Sequence, residues 1–169
     1  MSGGESMADS GTEMEPRLGS VRSLAHAGVT VRDMDRSLEF YCGMLGLEVE
    51  SDVVIEHPYL RDITAVAGTG IRVVFLRVAD TDARVEVLEY QGVERHPGSA
   101  RPCDPGTGHF SLFVDDVAAI HQRLLANGYS TRSPMPVEAA VGPRAGTKII
   151  YSIDPDGYHI ELMQRPGSV

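Results

Sequence analysis

Three shortages bound this chain before any motif is considered. It has two cysteines in 169 residues, Cys42 and Cys103, far apart and outside any Cys-x-x-Cys pair. That excludes a disulfide-stapled secreted scaffold, and reduced thiols are expected. No run of about 18 apolar residues occurs, so a membrane-spanning helix is not expected. The N-terminus offers Gly, Ser and Glu where a secretory signal needs a basic start and an apolar stretch. A soluble cytoplasmic protein is the expectation. Lysine and arginine form no run, and the net charge is −9 with a pI near 5.0. A nucleic-acid partner needs a clustered basic surface and is excluded on that ground. With 42% hydrophobic and 23% charged residues, the composition is that of one globular domain or two small halves sharing a core.

What the chain does have is an internal repeat. His26-Ala-Gly-Val-Thr-Val-Arg-Asp and His109-Phe-Ser-Leu-Phe-Val-Asp-Asp stand 83 residues apart, each with a histidine heading a β-type run that ends in Val and Asp. Each copy closes on a second run with one carboxylate among apolar residues, Val85-Glu86-Val87-Leu88 and Ile160-Glu161-Leu162-Met163. The repeated unit thus supplies a histidine and a glutamate twice. Two copies packed about a pseudo-twofold axis would gather two imidazoles and two carboxylates, a donor set suited to a first-row divalent metal.

Periodicity divides the chain into a disordered tail over 1–20, a first module over 21–91, a linker over 92–106, a second module over 107–165 and a short tail over 166–169. In the first module a strand is expected from Leu24 to Val31. A helix follows, capped by Asp33, with Met34, Leu38, Tyr41 and Leu45 as its apolar stripe and Gly46 as its stop. Strands follow over Leu47–Ile55, Ile71–Val78 and Arg84–Tyr90, with an irregular stretch after Ile55 and a hairpin turn at Asp80-Thr81-Asp82. The second module repeats this order: strand Gly108–Val114, helix Asp116–Asn127 stopped by Gly128, then strands at Tyr129–Arg132, Lys148–Ile153 and Tyr158–Gln164. The Pro/Gly-rich segment from Pro134 to Gly146 is expected to be a loop that covers a ligand.

Strand alternation selects the ligands. Glu86 shares a face with Leu88 and Tyr90, whereas Glu89 points the other way, into solvent. His159, Glu161 and Met163 share a face, and Glu161, two residues inside its strand, is preferred to His159. Four ligands, His26, Glu86, His109 and Glu161, leave positions on an octahedral ion for substrate oxygens. A carbonyl bound there has an acidified α-proton, and Glu86 or Glu161 is placed to move it. The ion is Zn, Ni, Co, Mn or Fe. His57 falls in a loop, His96 in the linker, and His121 on a helix face expected to be exposed. Tyr59, Arg61, Arg144 and Lys148 are candidate contacts for an acidic or acyl group of the substrate.

Val31-Arg32-Asp33 after His26, Ser37-Leu38-Glu39-Phe40-Tyr41, Leu45-Gly46-Leu47, Gly108-His109 and Asp154-Pro155-Asp156-Gly157-Tyr158-His159-Ile160-Glu161-Leu162 together resemble the vicinal oxygen chelate superfamily. That superfamily includes glyoxalase I, methylmalonyl-CoA epimerase, extradiol dioxygenases and bleomycin-binding proteins. The resemblance runs over about residues 22–165. It implies an α+β fold in which two βαβββ modules form a half-open mixed β-barrel around a metal, commonly in a homodimer. It places the family's ligands on His26, Glu86, His109 and Glu161. Extradiol dioxygenases have no ligand at the Glu86 position, so the resemblance favours an isomerase, epimerase or lyase acting by α-proton transfer on a small oxygen-chelating substrate. An Fe(II) dioxygenase and an antibiotic-sequestering protein are the alternatives. Ala67-Gly68-Thr69-Gly70 departs from the epimerase pattern before the third strand.

Overall fold

A computed structural model describes residues 19–79, 81–96 and 101–168. The expected tail up to residue 18, Asp80 of the expected hairpin and Pro97 of the linker lie outside the described residues. The first module runs β1 (Ala27–Thr30), α1 (Met34–Leu38), a π-helical turn (Glu39–Met44), β2 (Glu48–Ile55), α2 (Tyr59–Thr64), β3 (Gly70–Arg77) and β4 (Arg84–Gln91). The second runs β5 (His109–Phe113), α3 (Val117–Ala126), β6 (Ser130–Thr131), β7 (Val137–Glu138), β8 (Lys148–Ile153) and β9 (His159–Gln164). Their sheets have the same topology. The orders are β1-β4-β3-β2 and β5-β9-β8-β6, with β7 added beside β8. In each, the first and last strands pair in parallel and the remaining pairs are antiparallel. This is the α+β arrangement of two repeated modules, with mixed sheets that do not close into a barrel among the described residues.

Each sheet turns one face to a shared core. Val29, Val74, Leu76, Val85 and Val87 from the first sheet and Ile150, Ile160 and Leu162 from the second are buried in one cluster with Phe40, Tyr41 and Leu124. Fully burying such a side chain contributes roughly 1.5–3 kcal/mol relative to exposure, so this core supplies most of the cohesion between the halves. One buried polar contact also joins them. The Tyr41 hydroxyl donates to Asp154 Oδ2 over 2.9 Å, while Asp154 Oδ1 accepts the N–H groups of Asp156 and Tyr158. The Asp-Pro-Asp-Gly stretch is therefore a turn whose first carboxylate is locked to the other module.

Local rules account for the helices. Asp33 caps α1, accepting from the Arg36 N–H, and Asp116 caps α3, accepting from the N–H groups of Ala118 and Ala119. Gly46 and Gly128 end the two helical segments at φ +76° and +78°, a conformation that suits glycine. The first helix differs from a regular stripe. Leu45 N–H bonds back to the Phe40 carbonyl, a five-residue step that lets both Phe40 and Tyr41 reach the core.

Five expectations need correction. β1 starts at Ala27, so His26 sits just ahead of the strand rather than inside it. The stretch after Ile55 contains a short helix, α2. Glu89 is not in solvent: it lies on the core-side face of β4 and accepts from the Met34 N–H at 3.3 Å, 3.8 Å from Arg95. A helix N-terminus carries N–H groups without intrahelical partners, and this carboxylate satisfies one. His121 is buried in the same stripe of α3 as Val117 and Leu124, with Nε2 3.1 Å from the Pro134 carbonyl. The Pro134–Gly146 segment includes β7 and is tied down through Ala139, whose N–H donates to Thr147 and whose carbonyl accepts from Gly146.

Candidate metal centre

The faces turned away from the core carry the repeated residues. On the first sheet His26 Nε2 lies 3.2 Å from Glu86 Oε2. On the second, His109 Nε2 lies 3.8 Å from Glu161 Oε2. The four residues therefore form two pairs, and among the described residues no group of three or more His, Cys, Asp or Glu is gathered to hold a metal. The pairing follows from topology. In the parallel pair β5–β9 Glu161 stands beside Ser111, two positions along from His109 on the same face, and in β1–β4 Glu86 stands beside Gly28, two positions along from His26.

Each pair has the chemistry of half a centre. Two ligands about 2.1 Å from a divalent ion and at right angles stand about 3 Å apart, close to the His26–Glu86 separation. Imidazole nitrogen and carboxylate oxygen suit the first-row ions named above. Both carboxylates are mostly shielded while both histidines remain open, with side chains 36% and 43% exposed.

The surroundings add residues that strand alternation alone did not single out. Ser111 Oγ donates to Glu161 Oε2 over 2.5 Å, and the Tyr151 hydroxyl lies 3.2 Å from His109 Nε2. Burial and the neighbouring Glu161 push the Tyr151 phenol up. Register was the available signal, because Ser111, Glu161 and Tyr151 stand side by side on three neighbouring strands. His159 is buried and accepts from Arg132 Nε over 2.7 Å. Burial lowers its pKa, and the Arg132 charge lowers it further. A nitrogen already engaged by a guanidinium is a poor metal donor.

The four candidate substrate residues are dispersed. Arg144 approaches Met163 Sδ at 3.5 Å and stands 5.7 Å from the Phe113 ring, on the face that carries Glu161. Arg61 lines a cavity of about 390 Å³ with Tyr90 and Ile71, residues of the Glu86 face. Tyr59 packs against His57, ring centroids 5.1 Å apart, and is partly exposed. Lys148 shares a face of β8 with Ile150 and Ser152, which are buried in the core, so it lies on the opposite side of the sheet from Glu161. Cys42 and Cys103 are both free thiols.

Comparison with known proteins fits this architecture. The family model described as the Glyoxalase/Bleomycin resistance protein/Dioxygenase superfamily matches residues 23–162. A lactoylglutathione lyase of Salmonella typhimurium is 33% identical over 144 residues, covering 83% of this chain and 91% of that protein. A probable chloroplastic lactoylglutathione lyase of Arabidopsis thaliana is 32% identical over 147 residues, 85% of this chain but only 36% of its own length. The chain thus spans about a third of the plant relative. A glyoxalase family protein of Bacillus cereus has the same fold, with a TM-score of 0.71 at 17% identity over 88% of this chain and 97% of its own. Among the described residues no helix is long and apolar enough to cross a membrane.

Proposed function

Because this chain belongs to the glyoxalase/bleomycin resistance protein/dioxygenase superfamily, we propose that it is a metal-dependent lyase or isomerase that moves a proton alpha to a carbonyl in a small substrate. Thioesters of the lactoylglutathione type are the first class to assay. The observation that carries this reading is the doubled His–Glu pair, His26 with Glu86 and His109 with Glu161. A site with two carboxylates has a base to spare for proton transfer, which the 2-His-1-carboxylate set of an oxygen-activating iron site lacks.

In the proposed assembly His26 and Glu86 of one protomer meet the partner's His109 and Glu161, giving a homodimer with two equivalent centres. Two features support it. The pairs lie on separate sheets, and their faces also expose apolar side chains, Val53 at 48% beside the first and Phe113 at 49% beside the second. A second copy would cover both. A bound divalent ion would polarise the substrate carbonyl as a Lewis acid. The carboxylates then take the α-proton and return it to the neighbouring carbon, while Arg144 and Arg61 stand at the two faces as contacts for an acidic group.

The test is elemental analysis of protein purified without chelator or nickel resin, with variants in each pair. About one equivalent of divalent ion per chain is expected, lost in the His26→Ala/Glu86→Ala and His109→Ala/Glu161→Ala proteins. Mixing and refolding those two variants would restore about a quarter of the centres if each site draws on two chains, since half the dimers are mixed and each holds one intact site. No metal in the parent protein, before or after reconstitution, would sink the reading.

A further inference from the structure

The outward face of the second sheet continues past the His109–Glu161 pair. Along β5 its residues are His109, Ser111 and Phe113, and on β9 Glu161 is followed by Met163, which stands beside Phe113. Arg165, two positions beyond Met163, keeps to this face, because its guanidinium carbon lies over the Phe113 ring, 3.8 Å from the centroid. Arg144 reaches the same ring from the Pro134–Gly146 segment, 5.7 Å from the centroid, with one N–H group 3.5 Å from Met163 Sδ. Two guanidinium groups thus share one phenyl ring. That ring is two positions along β5 from the serine that touches Glu161, about 7 Å at the rise of a strand.

Such a pair stands apart from the other arginines of this chain. Acidic residues outnumber basic ones, 24 to 15, and Arg32, Arg72, Arg77, Arg84, Arg95 and Arg101 each hold a carboxylate in an ion pair. Neither Arg144 nor Arg165 has one among the described residues; their contacts are the ring and the thioether. One cation over a ring makes a cation–π contact, and a second beside it adds repulsion between like charges. An anion held between the two removes that cost. The donors to receive it are present. A guanidinium at stacking distance over a ring keeps its N–H groups in its own plane, directed past the ring, and sulfur is only a weak acceptor for the other.

The backbone brings these groups together in advance. The Arg144 carbonyl accepts from the Thr147 N–H at 3.0 Å, and the Arg165 carbonyl accepts from the Ser168 N–H at 3.3 Å. The two stretches also touch. Gly146 stands at φ +82°, and a Cβ built on it would lie 2.9 Å from Pro166 Cγ. Glycine therefore lets the Pro134–Gly146 segment close onto the residue after Arg165, and less ordering is left for a ligand to impose. The first module has no counterpart: its matching residues are Thr30 and Leu88, with Tyr90 where Arg165 stands, all uncharged.

We propose that Arg144, Arg165 and Phe113 receive a compact oxyanion, a phosphoryl or carboxylate group that the substrate carries roughly 7–10 Å from its chelating oxygens. This rests on the proton-transfer reading above and narrows its substrate to a small α-carbonyl compound with an anionic terminus at that distance. The two arginines bind the terminus by their N–H forks, and Phe113 is the platform that positions Arg165.

The test titrates the full-length protein by calorimetry with inorganic phosphate and with malonate, metal-free and loaded with cobalt(II). About one anion per chain is expected, and the tighter probe names the source as phosphoryl or carboxylate. Arg144→Gln and Arg165→Gln should each weaken binding about tenfold, and the double variant about 100-fold. Arg165→Lys keeps the charge but not the fork and should still lose about threefold. Arg36→Gln, an exposed site elsewhere, controls for net charge and should bind as the parent does. Cobalt affinity and the sedimentation coefficient should be the same in every variant. With cobalt bound, phosphorus-31 relaxation should place the phosphate roughly 7–10 Å from the ion; a distance of about 3 Å would mean direct coordination and overturn the proposal. No anion bound by the parent, equal binding in the double variant, or as large a loss in Arg36→Gln would also overturn it, while cobalt binding leaves the proton-transfer reading standing. A double variant with altered assembly would assign the arginines to a subunit contact and overturn it as well. A parent that binds phosphate through these arginines but binds no cobalt would overturn the proton-transfer reading, and the substrate assignment with it.

Discussion

Replacing Tyr41 with Phe tests the polar lock between the modules. Tyr41 and Asp154 are both almost fully buried, and their 2.9 Å hydrogen bond spans 113 residues of sequence. The substitution keeps the ring and its packing against Phe40 and Phe110 and removes only the donor. A buried hydrogen bond to a charged group contributes about 1.5–3 kcal/mol, and its loss leaves one carboxylate oxygen in the core without its partner. For a chain of this size each kcal/mol moves the melting midpoint by about 2–4 °C, so a fall of about 3–12 °C is expected. The pH dependence gives a second signature. Burial raises the Asp154 carboxyl above its ordinary range, opposed by its hydrogen bonds to the Tyr158 N–H, the Tyr41 hydroxyl and the Asp156 N–H. The native state therefore binds this proton more readily than the unfolded chain. Its contribution to stability declines as pH rises from the unfolded value, about 3.9, through the raised native one. Losing the Tyr41 donor raises the native value further, so the penalty of Tyr41→Phe should be larger at neutral pH than near pH 4. Urea melts at the two pH values, with equal m values as the control for two-state behaviour, measure it. A penalty under about 0.5 kcal/mol, or one that is the same at both pH values, would refute the lock as a stabilising contact.

Other perturbations should separate strong contacts from weak ones. Asp33→Ala removes the α1 cap, whose side chain accepts the Arg36 N–H at 3.1 Å, and should cost about 1 kcal/mol in a denaturant melt, with Asp33→Asn recovering most of it. Glu50→Gln breaks a bidentate pair with Arg84 that is solvent-exposed, at 2.5 and 2.7 Å. Exposed pairs are screened and pay side-chain entropy, so its melting midpoint should match the parent within error despite the short distances.

The helix caps, the glycine stops and the βαβββ order were legible in the residues because each depends on neighbours within a few positions. Asp33, Gly46, Asp116 and Gly128 act locally, and alternation along β4 and β9 put Glu86 and Glu161 on definite faces. The errors arose where a distant element decided the outcome. Glu89 reads as a solvated charge until α1 is laid over β4 and its free N–H groups need an acceptor. His121 reads as an exposed helix residue until α3 packs with Val117, His121 and Leu124 inward. Lys148 reads as a substrate contact until strand register sets it opposite the Glu161 face.

The sequence alone determined that the chain is a duplicated α+β unit, and which four side chains repeat. It could do so because periodicity and turn chemistry are encoded in neighbouring residues, and a duplication is visible as similarity. Only the tertiary structure decided how those four side chains are grouped. Parallel pairing of β1 with β4 and of β5 with β9 binds each histidine to the glutamate of its own module. The shared core meanwhile claims the inner faces of both sheets and leaves the two pairs facing outward. The same register set Ser111 and Tyr151 beside one glutamate and Gly28 and Phe75 beside the other. Strand alternation specifies a face, but the neighbours on that face come from other strands: Tyr151 and Ser111 stand 10 and 50 residues before Glu161, and Phe75 and Gly28 stand 11 and 58 residues before Glu86.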